Sequence, residues 1–253
     1  MRYDSGSLSS DLTSVTLVAV TSVALAATIE ALRSSMTQSR FGDVLLLSDR
    51  PPPTSQTGIT WRQIGPIRSR ADYSRFMLRD LAQHIATPHA LCVQWDGYVL
   101  DGGAWDPAFL DFDYIGAPWP QFSDGHNVGN GGFSLRSRRL LEACTALPFD
   151  GEMAEDVLIC RLYRGELEER GFRFAPESLA RRFSFERDAP TGHEFGFHGS
   201  FNLVRLEPPE AALQLFRTLE RDVLRRSERH ELFRWALAHG RLKLALSILG
   251  RLA

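Results

Sequence analysis

Val15–Val20 reads VTLVAV and Val23–Met36 reads VALAATIEALRSSM. The first is a short apolar run rich in β-branched residues, which suits a strand buried on both faces. The second is made of helix formers, with Leu25, Ile29 and Leu32 at helical spacing, and Thr21 or Ser22 stands where a cap is expected. The wider stretch Leu12–Leu32 is apolar enough to raise two other readings, and both fail. As a signal peptide it has no basic leader, because Asp4 and Asp11 accompany Arg2. As a membrane span it is interrupted by Thr13, Ser14, Thr16, Thr21, Ser22, Thr28 and Glu30. A strand feeding straight into a helix is how many nucleotide-binding α/β domains begin.

The alternation continues outward. Asp43–Ser48 (DVLLLS) reads as a second buried strand, followed by the loop Asp49-Arg50-Pro51-Pro52-Pro53, and Ile59–Ile64 (ITWRQI) reads as a third. Asp72–Ile85 has the period of an amphipathic helix, with Phe76, Leu78, Leu81 and Ile85 inward, and Ala90–Trp95 (ALCVQW) is a fourth strand. This pattern implies a mostly parallel sheet with helices on both faces. Ligands bind outside the carboxyl ends of such strands, which directs attention to the loops at Ser22, Asp49 and Asp96. Residues 97–135 are instead rich in Gly, Asp, Trp, Pro and Asn. Arg136–Ala146 and Glu155–Arg170 read as helices, residues 172–202 as irregular, and Pro208–Ala253 as helical and Arg-rich. The expected organisation is one α/β domain over 12–205 and a helical C-terminal extension over 206–253.

Composition excludes more than it identifies. The 253 residues are 43% hydrophobic and 24% charged, which is ordinary for a globular chain and excludes a disordered or fibrous one. Lys and Arg total 29 against 31 Asp and Glu, so there is no global basic excess for nucleic acid. From Arg205 onward ten Lys and Arg face six Asp and Glu, so the tail is cationic and the remainder acidic. Cys92, Cys144 and Cys160 form no CxxC pair, which points to a reducing cytoplasm rather than a disulfide framework.

Four segments carry residues suited to chemistry. In Gln94-Trp95-Asp96-Gly97-Tyr98 a carboxylate follows a buried strand, where it can hold a hard cation that bridges a diphosphate or simply start a turn with Gly97. In Val128–Arg136 (VGNGGFSLR), Gly131 and Gly132 allow close backbone approach and Asn130 adds a polar handle; Asn-Gly is equally a hairpin signal. The spacing is neither a dinucleotide fingerprint nor a P-loop. Glu155 and Asp156 stand at a helix start, where acids complement the dipole or where one can serve as a general base. His198 lies between glycines and aromatics in FGFHGS (195–200), which leaves its ring nitrogens accessible.

In this order the four segments resemble the GT-A class of nucleotide-sugar glycosyltransferases, and GNGGFSLRS, EDV and FGFHG resemble the inverting β-galactosyltransferase and fringe groups. More closely, Tyr73–Asn202 is similar to an uncharacterised, mainly bacterial family of glycosyltransferase type. The similarity rests on QWDGYVL (94–100), DYIGAPWP (113–120), VGNGGFSLRSRRLL (128–141), EDVLICR (155–161), RFSFE (182–186) and FGFHGSFN (195–202). The resemblance implies a GT-A-like, Rossmann-like α/β fold with a mixed, mostly parallel sheet. It implies transfer of a sugar from a nucleotide donor, UDP-linked, to a glycan or lipid-linked acceptor with inversion. It also implies a divalent cation, Mn or Mg, held by Asp96 and His198, with the donor diphosphate completing the shell. Gln94 and Tyr98 occupy the places flanking Asp96, so the Asp-x-Asp pair of this class is reduced to one carboxylate. Asp156 takes the place of the catalytic base and Glu155 that of its support or an acceptor contact. Gly131 and Gly132 would face the sugars, and Thr21, Arg33, Asp49 and Tyr73 lie where this class contacts the nucleoside. Arg181 and Arg182 are expected to stabilise the leaving diphosphate where the cation is weak, and Trp119, between two prolines, to form an exposed sugar platform. The basic, amphipathic segment Glu231–Ala253 suits peripheral membrane contact or ordinary packing of a helix pair broken at Gly240. The alternative to an enzyme is a non-catalytic sugar- or nucleotide-binding protein on a decayed transferase fold.

Overall fold

The computed structural model describes residues 10–220 and 223–250. Six strands form one sheet: β1 (Ser10–Thr21), β2 (Ser39–Ser48), β3 (Thr60–Gln63), β4 (His89–Val93), β5 (Tyr114–Ile115) and β6 (Phe133–Ser137). Their order is β3-β2-β1-β4-β6-β5. Strands β1 to β4 are mutually parallel, and β6 runs antiparallel to both β4 and β5. The architecture is the expected mixed, mostly parallel α/β sheet flanked by helices.

β1 lies inside the sheet because its side chains are apolar on both faces. Val15, Leu17 and Ala19 pack with Leu25, Ile29 and Leu32 of α1 (Leu25–Gln38). Val18 and Val20 pack on the opposite face with Phe76 and Met77 of α2 (Arg70–Arg79) and with Leu81 and Ile85 beyond it. Neither Thr21 nor Ser22 caps α1. The cap is Ala24 in the left-handed region (φ 51), and its N–H donates to Glu220 Oε2 at 2.7 Å. Ser69 caps α2 by accepting from Asp72 N, and the expected helix to Ile85 ends early in a 3-10 turn, Leu81–His84.

The middle of the chain departs most from expectation. Arg136 and Ser137 belong to β6, and the helix expected from Arg136 starts as α3 (Arg138–Cys144), capped by Ser137. The helix expected over Glu155–Arg170 is three pieces. These are α4 (Glu155–Val157), a π turn (Leu158–Leu162) closed by Tyr163 N to Leu158 O at 2.9 Å, and α5 (Arg164–Glu169). Trp119 is not an exposed platform. It is 5% exposed and packs edge-on against Phe122.

After α6 (Glu177–Phe183), a two-stranded parallel ribbon pairs β7 (Ser184–Phe185) with β8 (Gly196–Phe197). A bridge from Val99 to Gly196 ties this ribbon to the segment after β4. The chain ends in α7 (Ser200–Leu206), α8 (Pro209–Thr218), α9 (Arg226–Ala238) and α10 (Leu242–Leu249). Val204, Phe216, Leu232, Ala236, Leu244, Ala245 and Ile248 form a core there together with Ala24 and Ala27. Gly240, at φ 66, makes the turn between α9 and α10. No described helix is long and apolar enough to cross a membrane.

Candidate functional site

The site is built around one peptide, Gly131–Gly132. β6 returns beside β4, and Gln94 N donates to Gly132 O at 2.9 Å, which lays the glycine loop across the end of β4. Asn130 enters the loop at φ 66 and its Oδ1 accepts from Gly132 N at 3.1 Å. Asn130 tolerates this conformation better than most residues because its short side chain bonds locally.

Beyond Gly132 lies His198. Its Nε2 is 3.2 Å from Gln94 Oε1 and 3.3 Å from Asp96 Oδ1, and its Nδ1 is 3.4 Å from Glu186 Oε1. A Cβ on Gly132 would stand 2.0 Å from His198 Nε2, so only glycine permits this approach. The segment carrying His198 is held by its own backbone: Gly199 N donates to Asp96 O, His198 N to Phe185 O, and Asn202 Nδ2 to the carbonyls of Glu186 and His198. Burial opposes a charge on His198, yet the adjacent Asp96 and Glu186 carboxylates outweigh it and push its pKa up to about 10.

Beyond Gly131 lie Glu155, Asp156 and Arg136. Gly131 N donates to Asp156 Oδ2 at 2.9 Å, and Val157 N to Asp156 Oδ1 at 2.8 Å. Arg136 is fully buried; its Nη2 donates to Glu155 Oε1 at 3.0 Å, its Nε to Ser134 Oγ, and its guanidinium lies over the Tyr114 ring at 5.2 Å. Glu155 is 4% exposed, and burial, reinforced by Asp156, raises its carboxyl above the usual range against the pull of Arg136. A Cβ on Gly131 would stand 2.3 Å from Glu155 Oε1. Adjacent Cα atoms are about 3.8 Å apart, so the two clusters are immediate neighbours although Asp96, Glu155 and His198 are far apart in the chain.

Asp96, Gly131, Gly132, Glu155, Asp156 and His198 are therefore brought together. Tyr73 joins them: burial raises its phenol pKa, with Glu155 adding to the shift and a hydrogen bond to Gln94 opposing it. Thr21 ends β1, which adjoins β4 in the sheet, and Asp49 follows β2, one strand further out. The Thr21 hydroxyl bonds Val23, whereas Asp49 Oδ1 is buried without a hydrogen-bond partner. Arg33 is engaged elsewhere, with Glu30 Oε1 at 2.7 Å and Gln56 Oε1 at 2.6 Å. Arg181 pairs with Glu177 and Asp188, and Arg182 with Asp106, so both expected diphosphate contacts are tied to surface carboxylates. Sequence reasoning missed Arg136 and Glu186. The available signal was an Arg on the Ser134 side of an otherwise small and apolar strand, and a carboxylate one residue past the FSF run.

The donors suit a divalent cation in part. Asp96 Oδ1 is buried with no hydrogen bond, His198 Nε2 faces it, and Glu186 lies on the other ring nitrogen; a cation here would have to displace the proton that these two carboxylates favour on the ring. Among the described residues no three His, Cys, Asp or Glu side chains form a group that could hold a metal ion by themselves.

Residues 60–198 match the family described as "Protein of unknown function (DUF5672)", just over half of the chain. No curated protein sequence matches the chain. Among solved structures, galactosyltransferase LgtC in complex with donor and acceptor sugar analogs aligns with TM-score 0.44 and 12% identity, over 85% of this chain and 99% of that one. An active-site mutant of LgtC aligns with TM-score 0.43 and 13% identity at the same coverage.

Proposed function

The chain belongs to this family of unknown function, and from its site we propose that it is a glycosyltransferase. It transfers a sugar from a nucleotide-sugar donor, UDP-linked, to a hydroxyl of a glycan or lipid-linked acceptor, with inversion. One observation carries the reading: a two-glycine peptide at the end of β4 stands between a carboxylate pair and an Asp-His pair, each packed so closely on its glycine that any side chain there would clash. A displacement at an anomeric carbon needs both, a base for the attacking hydroxyl and a charge-stabilising group for the departing diphosphate.

Asp156 is the base. Its carboxylate is aimed by the amides of Gly131 and Val157, and it is less buried than Glu155 beside it. Glu155 is paired with Arg136 and fixes the position of the loop. Asp96 and His198 are the residues that would hold a divalent cation, which when bound offsets the charge gathering on the diphosphate. Tyr73, Thr21 and Asp49 line the approach for the nucleoside at the carboxyl edge of the sheet. The cytoplasm is the compartment this reading assigns; Cys92, Cys144 and Cys160 as buried free thiols support it.

The test is thermal melting against a panel of nucleotide sugars, with and without Mn²⁺ or Mg²⁺, followed by transfer assays with donors that bind. Stabilisation by a UDP-sugar and turnover are expected. Stabilisation without turnover for any acceptor would favour the non-catalytic binder, a reading favoured by the amides that already bond both Asp156 oxygens. No stabilisation by any donor overturns both readings.

A further inference from the structure

Six large apolar side chains are markedly exposed among the described residues, and four lie at the C-terminus: Leu237 at the end of α9 and Leu242, Leu246 and Leu249 on α10, at 46%, 61%, 67% and 47%. The three on α10 follow at i, i+4 and i+7, so they form one stripe within an arc of roughly 60°. Leu244, Ala245 and Ile248 fill the opposite side and are buried in the C-terminal core. The inward packing of this helix is therefore complete without the stripe. A helix apolar on both sides is not an ordinary surface helix, and its outer face calls for a second apolar medium.

Charge selects that medium. From Leu232 to Ala253 the chain carries Arg234, Arg241, Lys243 and Arg251 and no Asp or Glu. Lys243 borders the leucine stripe and is exposed, as is Arg234. Arg241 is instead turned inward, donating to Val204 O at 2.6 Å. A second copy of the chain brings no side-chain carboxylate from the segment after Glu231 to meet Lys243 or Arg234. The stripe is also the convex outside of a helix rather than a groove, so it fits a deformable surface better than an inserted peptide. We infer that the outer face of α10, with Leu242, Leu246, Leu249 and Lys243, docks on an anionic lipid bilayer. Leucines enter the acyl boundary while the cations meet headgroup charge, the arrangement of an interfacial helix. The inference is independent of the catalytic reading.

Co-sedimentation of the full chain with vesicles tests it, using phosphatidylglycerol mixed into phosphatidylcholine against phosphatidylcholine alone. Binding at least tenfold stronger to the anionic vesicles is expected, weakening as salt is raised. The double variant Leu242→Glu/Leu246→Glu should lose that binding with melting unchanged, because both side chains are exposed. Lys243→Glu, which leaves the apolar stripe intact, should weaken it severalfold, since each cation near such a surface is worth roughly fivefold. Equal binding to both vesicle types, or leucine and lysine variants that bind like the parent, overturns the inference. So does a lipid-free dimer in sedimentation that the leucine variant abolishes, which would assign the face to a second copy.

Discussion

The two sides of the Gly131–Gly132 peptide satisfy their charges differently. On the Gly131 side Arg136 and Glu155 are almost wholly buried and paired at 3.0 Å, and both Asp156 oxygens accept backbone amides. On the Gly132 side the side chains of Asp96 and His198 retain 11% and 14% exposure, and Asp96 Oδ1 has no hydrogen bond. The first side has the organisation of a scaffold with one carboxylate presented from it. The second is a charge pair closer to solvent; buried polar atoms without a hydrogen bond lie on both sides, Arg136 Nη1 on the first and Asp96 Oδ1 on the second. On the proposed reading the base and the Asp96–His198 pair stand on opposite sides of a single peptide bond, and each side can be broken separately.

The largest effect is expected for Asp156→Asn. Loss of a general base costs roughly 10²–10⁴-fold in kcat, while donor-induced stabilisation persists, because the amide remains sterically equivalent. A variant retaining full turnover would remove Asp156 from the chemistry and collapse the division of labour. Arg136→Met comes next. Removing one partner of a buried pair leaves Glu155 without its counter-charge, to stay uncompensated or take up a proton, at a cost of up to about 3–5 kcal/mol. Denaturant melts should show this, and Arg136→Met with Glu155→Gln should recover much of it, since both charges are then gone. If the double variant is no more stable than the single one, the pair is not the scaffold of this side.

Gly132→Ala sharpens the contrast. The new Cβ must displace the His198 ring, so kcat is expected to fall on the order of 10²-fold, as for a misplaced active-site group. Overpacking should cost only about 1–3 kcal/mol of stability. A variant that melts like the parent and turns over normally would show that His198 has no part in the reaction. The smallest effect concerns Asp113, which is buried but pairs with the half-exposed Arg139. Burial opposes its charge, yet hydrogen bonds from Arg139 and Ser137 hold its carboxyl below the ordinary value of 3.8. Its contribution is therefore present above that value and lost as pH falls below it. Arg139 is 54% exposed, so the contribution is small. Melting temperature should hold from neutral pH to about 5 and fall below 4 less steeply in Asp113→Asn than in the parent.

The parallel strands were legible because their signal is local. VTLVAV, DVLLLS and ALCVQW each carry enough contiguous apolar surface to require burial on both faces, whatever lies elsewhere. The middle region was not legible in the same way. FSLRS reads into the following helix because Arg136 looks like a polar helix surface, and only pairing with β4 makes it a strand residue. Trp119 between prolines looked exposed because a loop composition says nothing of what folds over it. The π turn after Asp156 leaves no mark in the residue pattern, since its extra residue matters only to the register of backbone bonds.

Likewise the sequence singled out Asp96, Gly131, Gly132, Asp156 and His198 as chemically suited, and it implied a sheet with its ligand edge at Asp96. Both follow from residue type and short-range period, which the chain carries in any conformation. What only the tertiary structure decided is the pairing. Gly131 serves the carboxylates and Gly132 serves the histidine because β6 turns back along β4 and the β7–β8 ribbon closes from outside. Contacts spanning 19 to 104 residues bring Arg136 to Glu155 and Gln94 to His198. Their geometry depends on the packing of the whole sheet, which no local run of residues encodes.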